Sequence, residues 1–336
     1  MKQLWMAAFL LALCSVCTAA KAPFINWSAL HNPVLAYPNW SIKDAAMATR
    51  QGEFYVFFSA FYEDHGQVRS HVVEVKTRDF KTYSKPILDF DGEEDGWIGM
   101  CSPDVRKAGP GYELSFNSWG DEEGKPDQLF YMTSPDLVHW SARHPLAANL
   151  TAGKRVIDAA VVDTGSGSYL IWKQNTDGHP KPRVGFSRSL EGPWSFARSG
   201  AESGEGSGFA TLTMPDGKEN GLIHENFTFI RAGGKWRLLS SDYPHGHHEI
   251  LYTQLNSKNW LDWGKGLAIH VAPEGFNTLV HADAAAIYNW QKYDGYYYLI
   301  YAGRNEAKTY LRRGWNRLAL SRSKDLVHWV PAGVTH

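Results

Sequence analysis

The 336-residue chain carries 34 Lys and Arg against 35 Asp and Glu, a formal net charge of -1. That balance gives no electrostatic case for nucleic acid or for an anionic membrane as partner. The length suits two ordinary domains or one large all-β domain, and the 14 Trp and 16 Tyr suit both an aromatic-rich β core and a cleft with flat sugar-binding faces.

In chain order, Met1-Lys2, an apolar run from Leu4 to Val16 and small residues up to Ala20 predict a secretory signal peptide over 1–20. It is too short to span a bilayer. No later segment approaches that apolar length, so no transmembrane helix is expected. Cys14 and Cys17 leave with the leader, Cys101 stays alone, and the mature chain therefore holds no internal disulfide. Secretion without disulfides fits a secreted or periplasmic protein. Asn26, Asn39, Asn149 and Asn226 open glycosylation-type triplets, which matter only in a eukaryotic host.

Beyond the leader, one unit returns five times. It opens on an acid, Asp44, Asp104, Asp158, Glu225 or Asp283, spaced by 60, 54, 67 and 58 positions. It closes on an aromatic, Tyr83, Trp140, Trp194, Trp263 or Trp329, spaced by 57, 54, 69 and 66 positions. Two markers keeping one beat indicate a repeated supersecondary unit. Each acid is followed by small or apolar residues, a polar turn and a strand-forming run. The turns are Gln51-Gly52-Glu53 before Phe54-Tyr-Val-Phe-Phe, Gly165-Ser-Gly167 before Tyr169-Leu-Ile-Trp172, Gly233-Gly234 before Trp236-Arg-Leu-Leu239, and Asp294-Gly295 before Tyr296 to Tyr301. These are hairpin signals. The closing turns, clearest in Ser134-Pro-Asp-Leu-Val-His-Trp140 and Ser323-Lys-Asp-Leu-Val-His-Trp329, predict side chains bonded to their own backbone over a packed aromatic, a structural role. Four strands per copy and five copies predict an all-β, five-bladed β-propeller over 21–336. The Gly- and Ser-rich stretch 198–221 interrupts the beat and reads as a long loop in the third blade, placed over the site. No helical repeat, dinucleotide or phosphate glycine pattern, or paired zinc cysteine is present.

In a propeller the first strand of each copy lines the axis, so the five acids would face one another at one end. Crowded, desolvated carboxylates repel and some are expected to titrate high. Glycoside hydrolysis needs one carboxylic acid to protonate the leaving oxygen and one carboxylate to activate water. The bland alternative, that the acids cap backbone amides at strand starts, holds for some copies. Trp40, Trp97, Trp119, Trp172 and Tyr243 lie near the acid-bearing strands, and one or two are expected to form a sugar platform. His245-Gly246-His247-His248 is dense in imidazole, but adjacent His on a loop lack fixed ligand geometry and no metal is assigned there.

Ile42-Lys43-Asp44 with Phe54-Tyr55-Val56-Phe57, Ser102-Pro103-Asp104-Val105, Val156-Ile157-Asp158-Ala159 with Tyr169 to Trp172, and His224-Glu225 with Trp236 to Leu239 together resemble glycoside hydrolase family 43 and its relative family 62. The resemblance covers essentially the whole mature chain as pattern, and its order of Asp, Asp, Glu is more specific than any one motif. It implies Asp44 as general base, Asp158 as the residue that tunes the acid and keeps it protonated, and Glu225 as general acid. It assigns Asp104 and His281 to substrate binding; in the family a last-blade His stands in some cases beside a calcium ion, so a structural calcium near His281 is the one ion in view and no cofactor is required. An inverting site should hold the Asp44 and Glu225 carboxyls roughly 6.5–9.5 Å apart. A terminal α-L-arabinofuranose or β-D-xylose of plant polysaccharide is the implied substrate, and a monomer is expected. Ala45 and Asn226 depart from the family, which usually has Pro after the first Asp and Gly after the Glu. Three other readings are a fructan-type propeller, whose Asn-Asp-Pro, Arg-Asp-Pro and Glu-Cys motifs are missing, a carbohydrate-binding propeller without turnover, and a calcium-stabilised scaffold.

Overall fold

A computed structural model describes residues 25–93, 96–120, 126–176, 179–198, 208–218, 224–242, 248–307 and 315–334, without the side chains of 175–181 and 248. The expected leader, with Cys14 and Cys17, lies outside the described residues. The described chain is all-β, with three helical segments of one turn each at Trp27–Ala29, Ala148–Thr151 and Gln291–Asp294. None is long and apolar enough to cross a membrane.

Strands β1 (Ser41–Arg50), β2 (Glu53–Asp64), β3 (Gln67–Thr77) and β4 (Leu88–Phe90) follow one another as antiparallel neighbours. The same succession returns in β5 (Gly99–Ala108), β6 (Gly111–Trp119), β7 (Leu129–Ser134) and β8 (His144–Pro145). It returns again in β9 (Val156–Asp163), β10 (Ser168–Thr176), β11 (His179–Ser187) and β12 (Ser195–Phe196). A short β13 (Thr211–Leu212) precedes the fourth run, which is β14 (His224–Ala232), β15 (Lys235–Asp242), β16 (His248–Thr253) and, past β17 (Asp262–Trp263), β18 (Leu267–Ile269). The fifth run is β19 (Val280–Asn289), β20 (Tyr297–Arg304), β21 (Arg317–Ser323) and β22 (Val330–Pro331). The first two runs form one eight-stranded sheet through a single parallel pair, Ser70 with Gly99, and the other three are separate sheets.

Packing, supplemented by a few hydrogen bonds, joins these runs. β1 touches β5, β5 touches β9, β9 touches β14, β14 touches β19, and β19 returns to β1. One apolar cluster fills each gap between neighbouring runs. Because successive strand side chains point to opposite faces, one strand serves two gaps: Phe54, Val56 and Phe58 pack toward the fifth run, while Tyr55 and Phe57 pack toward the second. Strands covered on both faces need no polar face, which is why β20 is buried along its whole length.

The segment before β1 clasps the last run. Leu318 O accepts from Val34 and Leu35 N–H, and Leu35 O accepts from Leu318 N–H. Asn32 imitates a strand residue, donating from Nδ2 to Leu320 O at 3.0 Å and accepting Leu320 N–H on Oδ1 at 2.9 Å.

The closing turns are structural, as their sequences indicate. In three of them the first hydroxyl, on Thr77, Ser134 or Ser323, accepts two backbone N–H groups, and Asp79, Asp136 or Asp325 accepts two more. The long stretch 198–221 is placed differently from its expectation where it is described. Val184 N–H reaches Gly208 O, and Thr211–Leu212 pairs in parallel with Asp262–Trp263. This part therefore bridges the outer strands of the third and fourth runs instead of covering the first strands.

Candidate active site

Each first strand carries a β-bulge at its middle, where two residues face one on the second strand. The pairs are Asp44-Ala45, Ser102-Pro103, Asp158-Ala159, Asn226-Phe227 and Ala284-Ala285, bracketed by the register shifts of the five hairpins. The first member is left-handed every time, with φ of 56°, 55°, 59°, 51° and 52°. A bulge adds twist and re-aims side chains. All ten bulge residues line one axial cavity, with Asp104, Thr228 and Ala286. It leaves about 20 Å³ to water, roughly the room of one molecule.

The bulge corrects the alignment of the repeats. Asp44, Ser102, Asp158, Asn226 and Ala284 are the equivalent residues, whereas Glu225 and Asp283 stand one place earlier and Asp104 two places later. A tolerance of one or two positions is invisible in a spacing of about 60, yet one step turns a strand side chain to the other face. The same geometry places both departures from the family pattern. Asn226 sits where φ is positive, a conformation Asn tolerates better than most residues, and Ala45 is the second bulge residue, the place Pro103 takes in the next run.

Three carboxyls meet around this ring. Asp44, 4% exposed, accepts Asn226 Nδ2–H on Oδ1 at 2.8 Å and pairs there with Lys43 Nζ at 3.2 Å. Its Oδ2 is buried with no hydrogen-bond partner among the described residues. Asp158 accepts the Ser102 hydroxyl on Oδ1 at 2.7 Å, and its backbone N–H donates to Asn117 Oδ1 at 2.8 Å. Burial, then the negative charges of Glu225 and Asp44, push the Asp158 carboxyl up to about 6 despite Lys173 and the Ser102 bond. Glu225 is the opposite case. Burial pushes it up, but Lys173, whose Nζ stands 2.5 Å from Oε1, outweighs that together with Lys43 and holds the carboxyl below its ordinary value, against the charge of Asp283. Of the two, Asp158 therefore takes up a proton before Glu225 does as pH falls. Lys173 supplies the nearest charge to Glu225 and acts in the direction opposite to the expectation that Asp158 keeps Glu225 protonated.

The remaining candidates divide. Trp40 and Trp119 stay at the end where the first strands begin, partly buried. Trp40 meets His71 edge-on at 4.8 Å, and Trp119 meets Phe61 at 5.3 Å. Trp172 is no platform: it is fully buried in the cluster between the second and third runs and stacks on Phe196 at 6.2 Å. An aromatic next to the acid-bearing strand has two faces to choose from, and register put this one inside. Trp97 packs on an apolar cluster as well. Asp104 lies past the bulge and lines both the axial cavity and a larger one toward the far end of β1, β5, β14 and β19. Burial pushes it up to about 7 despite Arg106 and the Val161 N–H, with Glu113 adding to the rise. Tyr243 and His245-Gly246-His247 lie outside the described residues. His281 is partly buried, and Asp283 beside it pairs with Arg304 at 3.3 Å. Among the described residues no three His, Cys, Asp or Glu gather to hold an ion. Of the described residues there, one imidazole and a carboxylate already facing a guanidinium fall short of the roughly six to eight oxygens that calcium takes. Cys101 is a buried free cysteine. Sequence reasoning missed Lys43, Ser102, Asn117 and Lys173. For Lys173 a signal existed, a charge directly after the buried run Leu170-Ile171-Trp172.

No protein-family model matches the sequence, and a search of curated proteins finds no match. Solved structures do match. A GH43_1 enzyme from Xanthomonas citri complexed with xylose superposes with TM-score 0.60 at 14% identity, over 88% of this chain and 92% of that one. An α-L-arabinofuranosidase from Lactobacillus brevis gives 0.62 at 12%, over 90% and 98%. A thermostable family-43 glycoside hydrolase gives 0.60 at 12%, over 91% and 97%. The chain has the fold of family 43 glycoside hydrolases.

Proposed function

We propose that this chain is a secreted, monomeric, five-bladed β-propeller glycoside hydrolase that removes terminal α-L-arabinofuranose or β-D-xylose from plant oligosaccharides or polysaccharides with inversion. Each of the five strand runs is read as one blade. The observation that carries the reading is that Asp44, Asp158 and Glu225 come together from the first, third and fourth runs, with Asp44 and Asp158 lining a water-sized axial cavity.

Asp44 is suited to activate water, since it lines the cavity and its buried Oδ2, without a partner among the described residues, offers a lone pair. Glu225 stands at the rim, its side chain 16% exposed, where a glycosidic oxygen can reach it. Asp158 titrates above its ordinary value beside them. The chemistry asks for no cofactor. The choice of sugar rests on the neighbours, one holding xylose and one named for arabinofuranose. A panel of nitrophenyl glycosides (arabinofuranoside, xyloside, galactoside) tests activity, and proton NMR of the first-formed anomer tests inversion. Hydrolysis retained in Glu225→Gln would remove Glu225 as the acid.

The Lys173–Glu225 pair favours a second reading, a carbohydrate-binding propeller without turnover, because it leaves Glu225 without its proton. In that case the wild-type chain binds sugar, cleaves none of the panel, and Glu225→Gln changes nothing.

A further inference from the structure

One position recurs on the second strand of every run, opposite the residue just before the bulge: Ser59, Asn117, Lys173, Ser241 and Ala302. In three runs it ties one run to the next. Ser59 Oγ accepts the Ser102 N–H at 2.8 Å, Asn117 Oδ1 the Asp158 N–H at 2.8 Å, and Ser241 Oγ the Ala284 N–H at 3.0 Å. A lysine ammonium accepts no hydrogen bond, so the third run gives up that tie. Its Nζ meets Glu225 Oε1 at 2.5 Å, with only 8% of the Lys173 side chain exposed. A buried ion pair is a poor way to hold two sheets together compared with a neutral bond. The substitution therefore serves Glu225 rather than the fold.

We propose that Lys173 is a positioning residue that holds Glu225 as a carboxylate until a sugar enters, and that a bound glycosidic oxygen, parting the two, turns Glu225 into the proton donor. This rests on the hydrolase reading. Glu225 then takes one proton from solvent or from Asp158 and passes it to the leaving oxygen as the glycosidic C–O bond breaks. Asp44 takes the proton of the attacking water as its oxygen bonds to the anomeric carbon, then releases that proton to solvent, from which the donor carboxyl regains the one it gave up. The charged groups around Glu225 are Lys173 from β10, Lys43 from β1, Asp158 from β9 and Asp283 from β19 with its partner Arg304 from β20; β15 adds Asp242, paired opposite His224.

The pH profile of kcat/KM reports the free enzyme, and that of kcat the complex. In the wild type the alkaline limb of kcat should lie about one pH unit or more above that of kcat/KM. In Lys173→Met the kcat/KM limb should rise to meet it, roughly a tenfold gain in kcat/KM on the falling limb, and Lys173→Arg should keep the wild-type separation. Coincident limbs in the wild type, or an unmoved limb in Lys173→Met, overturn the proposal. Carbon-13 NMR titration of the Glu225 carboxyl, identified by its loss in Glu225→Gln, needs no turnover. Its midpoint should rise in Lys173→Met, and an unchanged midpoint overturns the proposal independently of activity. A raised midpoint in a chain that cleaves no glycoside sinks the hydrolase reading and the gating with it.

Discussion

At the scale of single residues, the carboxyls of this protein are sorted by their neighbours. Glu225 and Asp158 lie close enough to perturb each other, yet a cation sits on one and a neutral hydroxyl on the other. Glu225→Gln keeps the shape and removes the transferable proton, so kcat should fall by about 10²–10⁴, and the thermal midpoint should fall as well because the buried Lys173 loses its counter-charge. Steady-state rates with differential scanning calorimetry check both. Away from the axis, Glu74 and Glu249 are fully buried, and burial pushes each to about 8, against the Trp140 and Ser241 hydrogen bonds respectively. The folded state thus keeps protons that the unfolded chain has lost above 4.5. The stability they contribute is complete below that value and is lost as pH rises toward 8. The urea midpoint should be higher at about pH 5 than at about pH 8.5, and Glu74→Gln with Glu249→Gln should flatten the slope. A midpoint that climbs with pH over this window would contradict it. The sequence showed these acids but not their states, since each state depends on residues from another strand run.

At the scale of the element, the unit is a hairpin with a bulge in its first strand. The bulge needs a left-handed residue, and Ala284 fills that need at φ 52° while 1% exposed. Ala284→Val puts a β-branched side chain where that conformation is strained, and should cost about 1–3 kcal/mol. Ala284→Gly relieves the strain and should cost far less. Denaturant unfolding of the two variants gives the comparison, and equal losses would refute the strain argument. The turns at the outer edge were legible because Ser, Asp and Leu at fixed offsets build them locally: Ser134 Oγ accepts Leu137 N–H at 2.8 Å and Ser323 Oγ accepts Leu326 N–H at 2.9 Å. The bulge was not legible, because its residue types differ from run to run and share only a backbone conformation.

At the scale of the molecule, the ring of strand runs is closed by packing and by the segment ahead of β1. Asn32 satisfies both backbone groups of Leu320, so Asn32→Ala leaves them without that partner and should lower stability by about 1–3 kcal/mol. The loss should appear as one cooperative transition of reduced midpoint, because the clasp joins the two ends of the ring. A separate early transition would show that the last run unfolds alone. By itself the sequence determined the all-β class, the fivefold beat and the trio of carboxyls, since these depend on strand periodicity and on side chains that recur at near-constant spacing. Tertiary structure alone decided that Trp172 is core, that Asp104 lies past the bulge toward the larger cavity, and that Asp158 titrates above Glu225. Each of those outcomes turns on a one-residue register step or on a lysine brought in from a neighbouring strand run, and neither is a local property of the chain.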